Sequence, residues 1–265
     1  MALPLIASFA LCLFSLLSCR VGYLVWKIRR KRASFEWPHS QKEDERGEIR
    51  KDTTTATGRT TTTTATRTTT AILPNDERQG RRKTLVVLGS GGHTSEMIQL
   101  IRNLPIERYN PLVFVKAATD TTSLGRLQAS DLWSETYSAQ TTAYEIPRAR
   151  EVGQSYLSSI YSTIHAFVFA LQLVVRLRPD LVLCNGPGTC LPICVAAFVT
   201  RVVGWTRTRI IFVESFCRVR TMSLTGRLLY DWVDLCAVHW PTLQSKYPLT
   251  QCTSAMIHPN KKKEQ

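Results

Sequence analysis

Apolar and polar positions divide the chain into three stretches of different character. Residues 3–26 are almost wholly apolar, broken by Pro4, Ser8, Ser15, Ser18 and Arg20, and they stop at Lys27, Arg29, Arg30, Lys31 and Arg32. Residues 33–83 carry no apolar period, and 13 of the 18 residues in 53–70 are threonine. From Thr84 onward, short apolar runs alternate with segments of helical period. The runs predict strands over 85–88, 111–118, 143–147, 180–184, 209–213 and 235–239. The periods predict helices over 94–104, 121–133, 191–203 and 224–232. Alternation of this kind argues an α/β fold, a parallel sheet with helices on both faces, which takes ligands at the carboxyl ends of its strands. The long uncharged segment 152–175 contains Gln154, four serines, Thr163, His165 and Gln172. That average is too polar for an isolated membrane span, so the segment reads as a helix packed on the sheet, its richer half 166–175 touching a membrane surface.

The first stretch is long enough to cross a bilayer, which takes about 20 apolar residues, if Arg20 snorkels to an interface. A cleaved signal peptide wants positive charge ahead of its apolar run, and only Met1 and Ala2 precede Leu3. All the basic residues follow, so the positive-inside rule places the N-terminus in the lumen and everything after Trp26 in the cytosol. Residues 1–32 are therefore read as a single-pass anchor with a basic flank. Residues 33–83 are read as a disordered tether, because a threonine tract has no apolar face to bury. A cytosolic setting removes the alternative of a glycosylated stalk.

Charge and cysteine content refine this picture. The 265 residues carry 34 basic and 20 acidic side chains, a net +14, and 16 of the basic and 8 of the acidic ones lie in residues 1–83. The basic excess suits anionic lipid, phosphorylated ligands or nucleic acid, without choosing among them. Of the eight cysteines, Cys12 and Cys19 lie in the first stretch and the other six sit in or beside apolar segments, none in a C-x-x-C pair. They read as reduced, buried small hydrophobes rather than as zinc ligands.

Four segments carry candidate chemistry. Gly89-Ser90-Gly91-Gly92-His93-Thr94 follows a strand and opens a helix, where backbone N–H groups and the helix dipole receive phosphate. It is neither a dinucleotide fingerprint, since Thr94 stands at the third glycine and no acid ends the second strand, nor a Walker loop. His93 adds an imidazole suited to general-base work. Arg148 and Arg150, beside a strand end, suit bidentate contact with phosphate, or pair with Glu151 on the surface. Asn185-Gly186-Pro187-Gly188 forms a second strand–helix turn. Glu214 ends the fifth strand, where a carboxylate either bonds sugar hydroxyls or caps the next helix.

Taken in order, these segments resemble a known family. GSGGHTSEM from Gly89, IPRAREVGQS from Ile146, LVLCNGPGTCLPICV from Leu181, VESFCRV from Val213, and TGRLLY and HWPTLQSKYP before Pro248 are similar to the membrane-anchoring subunit of the UDP-N-acetylglucosamine transferase that makes dolichol-linked chitobiose. The resemblance implies a Rossmann-like domain over 84–248, the acceptor-binding half of a GT-B glycosyltransferase similar to the bacterial transferase that makes lipid II. It implies location at the endoplasmic reticulum membrane and the continuous nuclear envelope, with the main domain cytosolic. It implies a soluble donor-binding subunit as partner, which holds UDP-GlcNAc. The implied reaction is inverting transfer of GlcNAc to the 4-hydroxyl of GlcNAc-diphosphodolichol, with no cofactor, metal or nucleic acid expected. On this reading His93 is the base; Gly91, Gly92, Thr94, Arg148 and Arg150 hold the acceptor diphosphate; Asn185 and Glu214 surround the acceptor sugar. The family's short final strand has no evident counterpart, since 249–265 reads as a polar tail. With so little chain after Pro248, the donor-binding half is expected on another polypeptide. A non-catalytic recruiter of a complete soluble enzyme is the alternative, and the failed fingerprint disfavours a nucleotide-dependent oxidoreductase.

Overall fold

Near-continuous apolar runs such as Leu-Val-Val and Leu-Val-Phe-Val suit strands covered on both faces. In the computed structural model, which describes residues 2–33, 80–105, 108–130, 142–150 and 153–253, they form one all-parallel sheet. Its strands are β1 (Thr84–Val87), β2 (Leu112–Ala117), β3 (Thr142–Ile146), β4 (Leu181–Asn185), β5 (Arg209–Val213), β6 (Leu235–Val238) and β7 (Gln251–Cys252). The order is β3-β2-β1-β4-β5-β6-β7, so the chain reverses its direction of travel across the sheet between β1 and β4. Val87 pairs in register with Val115 on one side and Cys184 on the other, which aligns the carboxyl ends of the three central strands. Among the described residues, six helices accompany the sheet: α2 (Gly92–Arg102), α3 (Ser123–Gln128), α4 (Tyr156–Leu177), α5 (Cys190–Val203), α6 (Leu224–Leu229) and α7 (Pro241–Lys246). Leu85, Val115, Val182 and Phe212 of the sheet pack with Ala170 and Val174 of α4 and Ile193 and Ala197 of α5 in one core.

The structure departs from the sequence reading in three places. First, the domain does not stop at Pro248: α7 and β7 follow β6, and β7 pairs with it (Ala237 with Gln251, Val238 with Cys252). A two-residue strand is shorter than any period, and its buried Gln251 looks polar in sequence. Residues 254–265, the rest of the expected tail, lie outside the described residues, as do 34–79 of the expected tether.

Second, α4 packs on the fold as expected, but with its first half turned inside out. Ser159 and Ser162 bond the carbonyls of Ser155 and Ala149, at 2.6 and 2.7 Å, and Thr163 bonds that of Ala149 at 3.1 Å. Leu157, Ile160, Tyr161 and Ile164 are exposed. Among the described residues, 157–177 is the stretch long and apolar enough to cross a membrane by length and composition, which corrects the reading of this segment as too polar. The expected N-terminal span over 3–26 falls in part on side chains outside the described residues.

Third, α1 (Ala2–Ala33) is one continuous helix of 32 residues, about 48 Å long, whose basic end is docked on the domain. Arg32 is buried, and its guanidinium donates to the carbonyls of Leu249 at 2.7 and 3.0 Å, Val233 at 3.3 Å and Tyr230. Arg29 pairs with Asp231 at 3.1 Å.

Candidate functional site

Where β1 and β4 diverge, their carboxyl ends open side by side into the two glycine-bearing turns, the position at which parallel sheets bind ligands. After β1, Gly91 (φ 69) is the N-cap of α2 and supplies no side-chain cap, so the first N–H groups of the helix face outward without a side-chain partner. After β4, Gly186 adopts φ 65. The turns interlock closely enough to require glycine in each. A Cβ on Gly89 would lie 2.6 Å from Pro187 Cγ, and one on Gly186 would lie 2.6 Å from His93 Cε1. Between these turns and the β5–α6 loop lies a cavity of about 420 Å³, whose lining includes Gly92, His93, Glu96, Gly186, Glu214 and Arg218.

Glu96, one turn of α2 beyond His93, ties this cavity together. Asn185 Nδ2 donates to Glu96 Oε2 at 2.8 Å. Ser215 Oγ and the Phe216 N–H donate to Glu96 Oε1 at 3.0 and 3.2 Å. A single carboxylate thus joins α2 to the ends of β4 and β5. Burial works against its ionisation, but the facing His93 imidazole and the donors Asn185 and Ser215 outweigh that and hold it at about 2. His93 Nδ1 stands 3.6 Å from Glu96 Oε2, longer than a hydrogen bond, and is buried with no hydrogen-bond partner; Asn185 Oδ1 is buried and unpartnered too. At the end of β6, His239 is lowered by burial, with Glu96 raising it in part; Thr253 Oγ1 lies 2.7 Å from its Nδ1.

The other expected site residues divide between this cavity and elsewhere. Gly91 and Gly92 form the turn at its mouth. Glu214 is fully buried in its wall, and its oxygens are engaged by the loop: Oε1 accepts the Ser215 N–H at 2.9 Å, and Oε2 accepts the Ser223 N–H and hydroxyl at 2.8 and 3.0 Å. Ser223 in turn caps α6 by accepting the Gly226 N–H at 2.9 Å, so Glu214 takes the capping arrangement rather than presenting a free carboxylate. Thr94 is fully buried, and its hydroxyl donates to the Gly89 carbonyl beside Ser123 Oγ, holding the turn closed rather than facing a ligand. Arg148 and Arg150 follow β3, two strands from β1, and do not line the cavity; Arg148 reaches Thr119 Oγ1 at 3.5 Å and Arg150 the Gln154 carbonyl at 3.2 Å. Glu151 lies outside the described residues. Asp120, the nearest acid to a ribose-binding position, spends one oxygen on the Thr122 and Ser123 N–H groups at the start of α3.

Sequence reading gave no role to Glu96, Ser215 or Arg218. Glu96 was findable, because a residue three beyond His93 on a helix shares its face. Among the described residues no three His, Cys, Asp or Glu side chains are grouped to hold a metal ion.

Comparison with known proteins places this geometry in a family. The sequence profile described as "Oligosaccharide biosynthesis protein Alg14 like" matches residues 84–256. Proteins named UDP-N-acetylglucosamine transferase subunit ALG14 are 44% identical over 172 residues in Mus musculus (63% of this chain, 79% of that one) and 43% over 169 in Homo sapiens (62% and 78%). The namesake from Yarrowia lipolytica is 40% identical over 175 residues (66% and 81%). Solved structures are more distant. A putative UDP-N-acetylglucosamine 2-epimerase from Listeria monocytogenes aligns with a TM-score of 0.47 at 14% identity over 64% of this chain. MurG from Acinetobacter baumannii aligns with 0.39 at 16% over 60%, and the chain spans 42% of the length of each. The profile match covers well over half of the sequence, and the chain belongs to the Alg14-like family of oligosaccharide biosynthesis proteins.

Proposed function

We propose that this chain is the acceptor-binding subunit of a two-chain, inverting GT-B glycosyltransferase. It moves GlcNAc from UDP-GlcNAc to the 4-hydroxyl of GlcNAc-diphosphodolichol at the cytosolic face of the endoplasmic reticulum. The observation that carries this reading is the meeting of His93, Gly92, Glu96 and Gly186 in one cavity at the divergence of β1 and β4. The relatives are named as transferase subunits, which supports both the sugar transferred and a second chain that holds the donor. The 32-residue α1 and the outward apolar face of α4 support membrane attachment, with α1 as the anchor. The acceptor hydroxyl attacks the anomeric carbon, the bond to UDP breaks, and the hydroxyl proton passes to His93. The open start of α2 and the arginines after β3 balance the acceptor's phosphate charge.

The test is purification of the chain from membranes with whatever co-purifies, followed by transfer assays with and without that partner. The chain alone is expected to be inactive and the reconstituted complex active. His93→Ala is expected to keep partner and membrane binding while losing at least roughly 10²-fold in turnover. Wild-type turnover by His93→Ala, together with loss of activity when residues 2–33 are removed, would instead make the chain a recruiter.

A further inference from the structure

We infer that Glu96 is a positioning residue for His93, a fixed carboxylate that faces Nδ1 and leaves Nε2 as the nitrogen that meets the acceptor hydroxyl. The inference rests on the reading of His93 as base and goes beyond it to the residue through which that base is oriented.

Three observations carry it. Nδ1 is buried, has no hydrogen-bond partner, and stands 3.6 Å from Glu96 Oε2, so the only charged group it faces at close range in the described structure is that carboxylate. The carboxylate itself is not free to turn away, because Asn185, Ser215 and the Phe216 N–H hold both oxygens from two other elements. The same edge of the ring lies against Gly186, where an added Cβ would stand 2.6 Å from Cε1 and 3.0 Å from Nδ1, so the ring has no room to turn that edge away. A base oriented by a third group is the general architecture of activated nucleophiles, and catalytic contacts in unliganded sites are often long and tighten on binding.

In the transfer step the hydroxyl oxygen bonds to the anomeric carbon, and the electron pair of the broken bond leaves with UDP. The hydroxyl proton moves to Nε2. The resulting imidazolium carries a proton on each nitrogen, and Nδ1–H then points at Glu96, which balances the new charge. Asn185 and Ser215 act one step further out, by keeping Glu96 ionised and in place. Among the described residues, the other titratable groups lining this cavity are Glu214 at the end of β5 and Cys217 and Arg218 in the following loop, and His239 at the end of β6 acts on Glu96.

The experiment uses the full chain with its partner, and compares Glu96→Gln, Glu96→Asp and Glu96→Gln/His93→Ala with His93→Ala. Glu96→Gln keeps the side chain's size and removes the charge, at the cost of turning one of its two accepting positions into a donor. It is expected to lower kcat by about 10–10²-fold with the acceptor KM little changed, and to move the acid limb of the kcat/KM pH profile to lower pH, because imidazolium loses its counter-charge. Glu96→Asp is expected to restore part of the rate and the position of the limb. In the His93→Ala background, Glu96→Gln is expected to cost nothing more, since both changes remove one unit. A purely structural Glu96 would leave the limb in place and add its loss to that of His93→Ala; either result overturns the inference. If His93→Ala itself turns over normally, the reading of His93 as base fails first. If His93→Ala is slow while Glu96→Gln keeps both rate and pH limb, only the positioning role is overturned.

Discussion

At the scale of single residues, the site depends on how closely two turns approach each other. Gly186 does two things that no other residue does at once: it holds φ 65, and it leaves the His93 ring room that a Cβ would occupy at 2.6 Å from Cε1. Gly186→Ala adds left-handed strain of roughly 1–2 kcal/mol and pushes the imidazole out of line with Glu96. Displacement of a reacting group by about 1 Å costs about 10²-fold, so turnover is expected to fall by that order while the protein stays folded. Denaturation curves measured beside the transfer assay separate the two effects; a fully active Gly186→Ala would show that the ring does not need its present position. His93 and the glycines were legible in sequence, because a strand–turn–helix pattern leaves few places for them. Glu214 was legible as a residue at the strand end that walls the cavity, and Thr94 as part of the turn, but neither in what its oxygens bond. Their oxygens are spent on the Gly89 carbonyl and on the Ser215 and Ser223 N–H groups, and such bonds depend on loop geometry that no spacing encodes.

At the scale of elements, strands were the easiest to read and junctions the hardest. β1, β2 and β4 are buried along their whole length, so each appears as an apolar run with a single polar residue, Thr84, Lys116 and Asn185 respectively. The outward apolar face of α4 was hidden because its serines and threonine lower the average, although Ser162 and Thr163 spend their hydroxyls on the Ala149 carbonyl and Ser159 on that of Ser155 at the helix's own start. The docking of α1 was invisible, since Arg32 meets the Leu249 carbonyl across 217 residues of sequence. That contact makes a specific claim about rigidity. A guanidinium fork reaches three carbonyls at once, which a lysine ammonium on a thin stem does not reproduce, and its face also lies over the Tyr230 ring at 5.3 Å. Arg32→Ala leaves those buried carbonyls without their donor and is expected to destabilise the domain by about 2–3 kcal/mol. Amide exchange in detergent should accelerate in β7 and around Tyr230, and Arg32→Lys should recover little of the protection. Unchanged exchange in Arg32→Ala would mean that the helix end rests on the domain without holding it.

At the scale of the whole molecule, strand order decides how a long ligand lies. The cavity with His93 and Glu96 opens on the β4–β5 side of β1, whereas Arg148 and Arg150 follow β3 on the other side, two strands away. Two strand spacings are about 10 Å, a gap that the arginines bridge to the start of α2 only with extended side chains. Sequence reading grouped these arginines with the glycine turn because it had no strand order. The order now separates a sugar position from a charge position. On the reading proposed above, an acceptor whose hydroxyl meets His93 would carry its diphosphate away from Glu96 and Glu214, over the uncapped start of α2 and toward β3. Each charge-assisted contact is worth about 1.5–3 kcal/mol, so Arg150→Ala is expected to raise the acceptor KM by roughly 10–150-fold and leave kcat within a few-fold. An acceptor analogue with a neutral linkage in place of the diphosphate should bind weakly to both proteins and show no difference between them. Arg218 supplies the contrary outcome, because it lines the cavity on the β5 side. If Arg218→Ala raises the acceptor KM and Arg150→Ala does not, the diphosphate runs toward β5, and the acceptor lies across the sheet in the opposite direction.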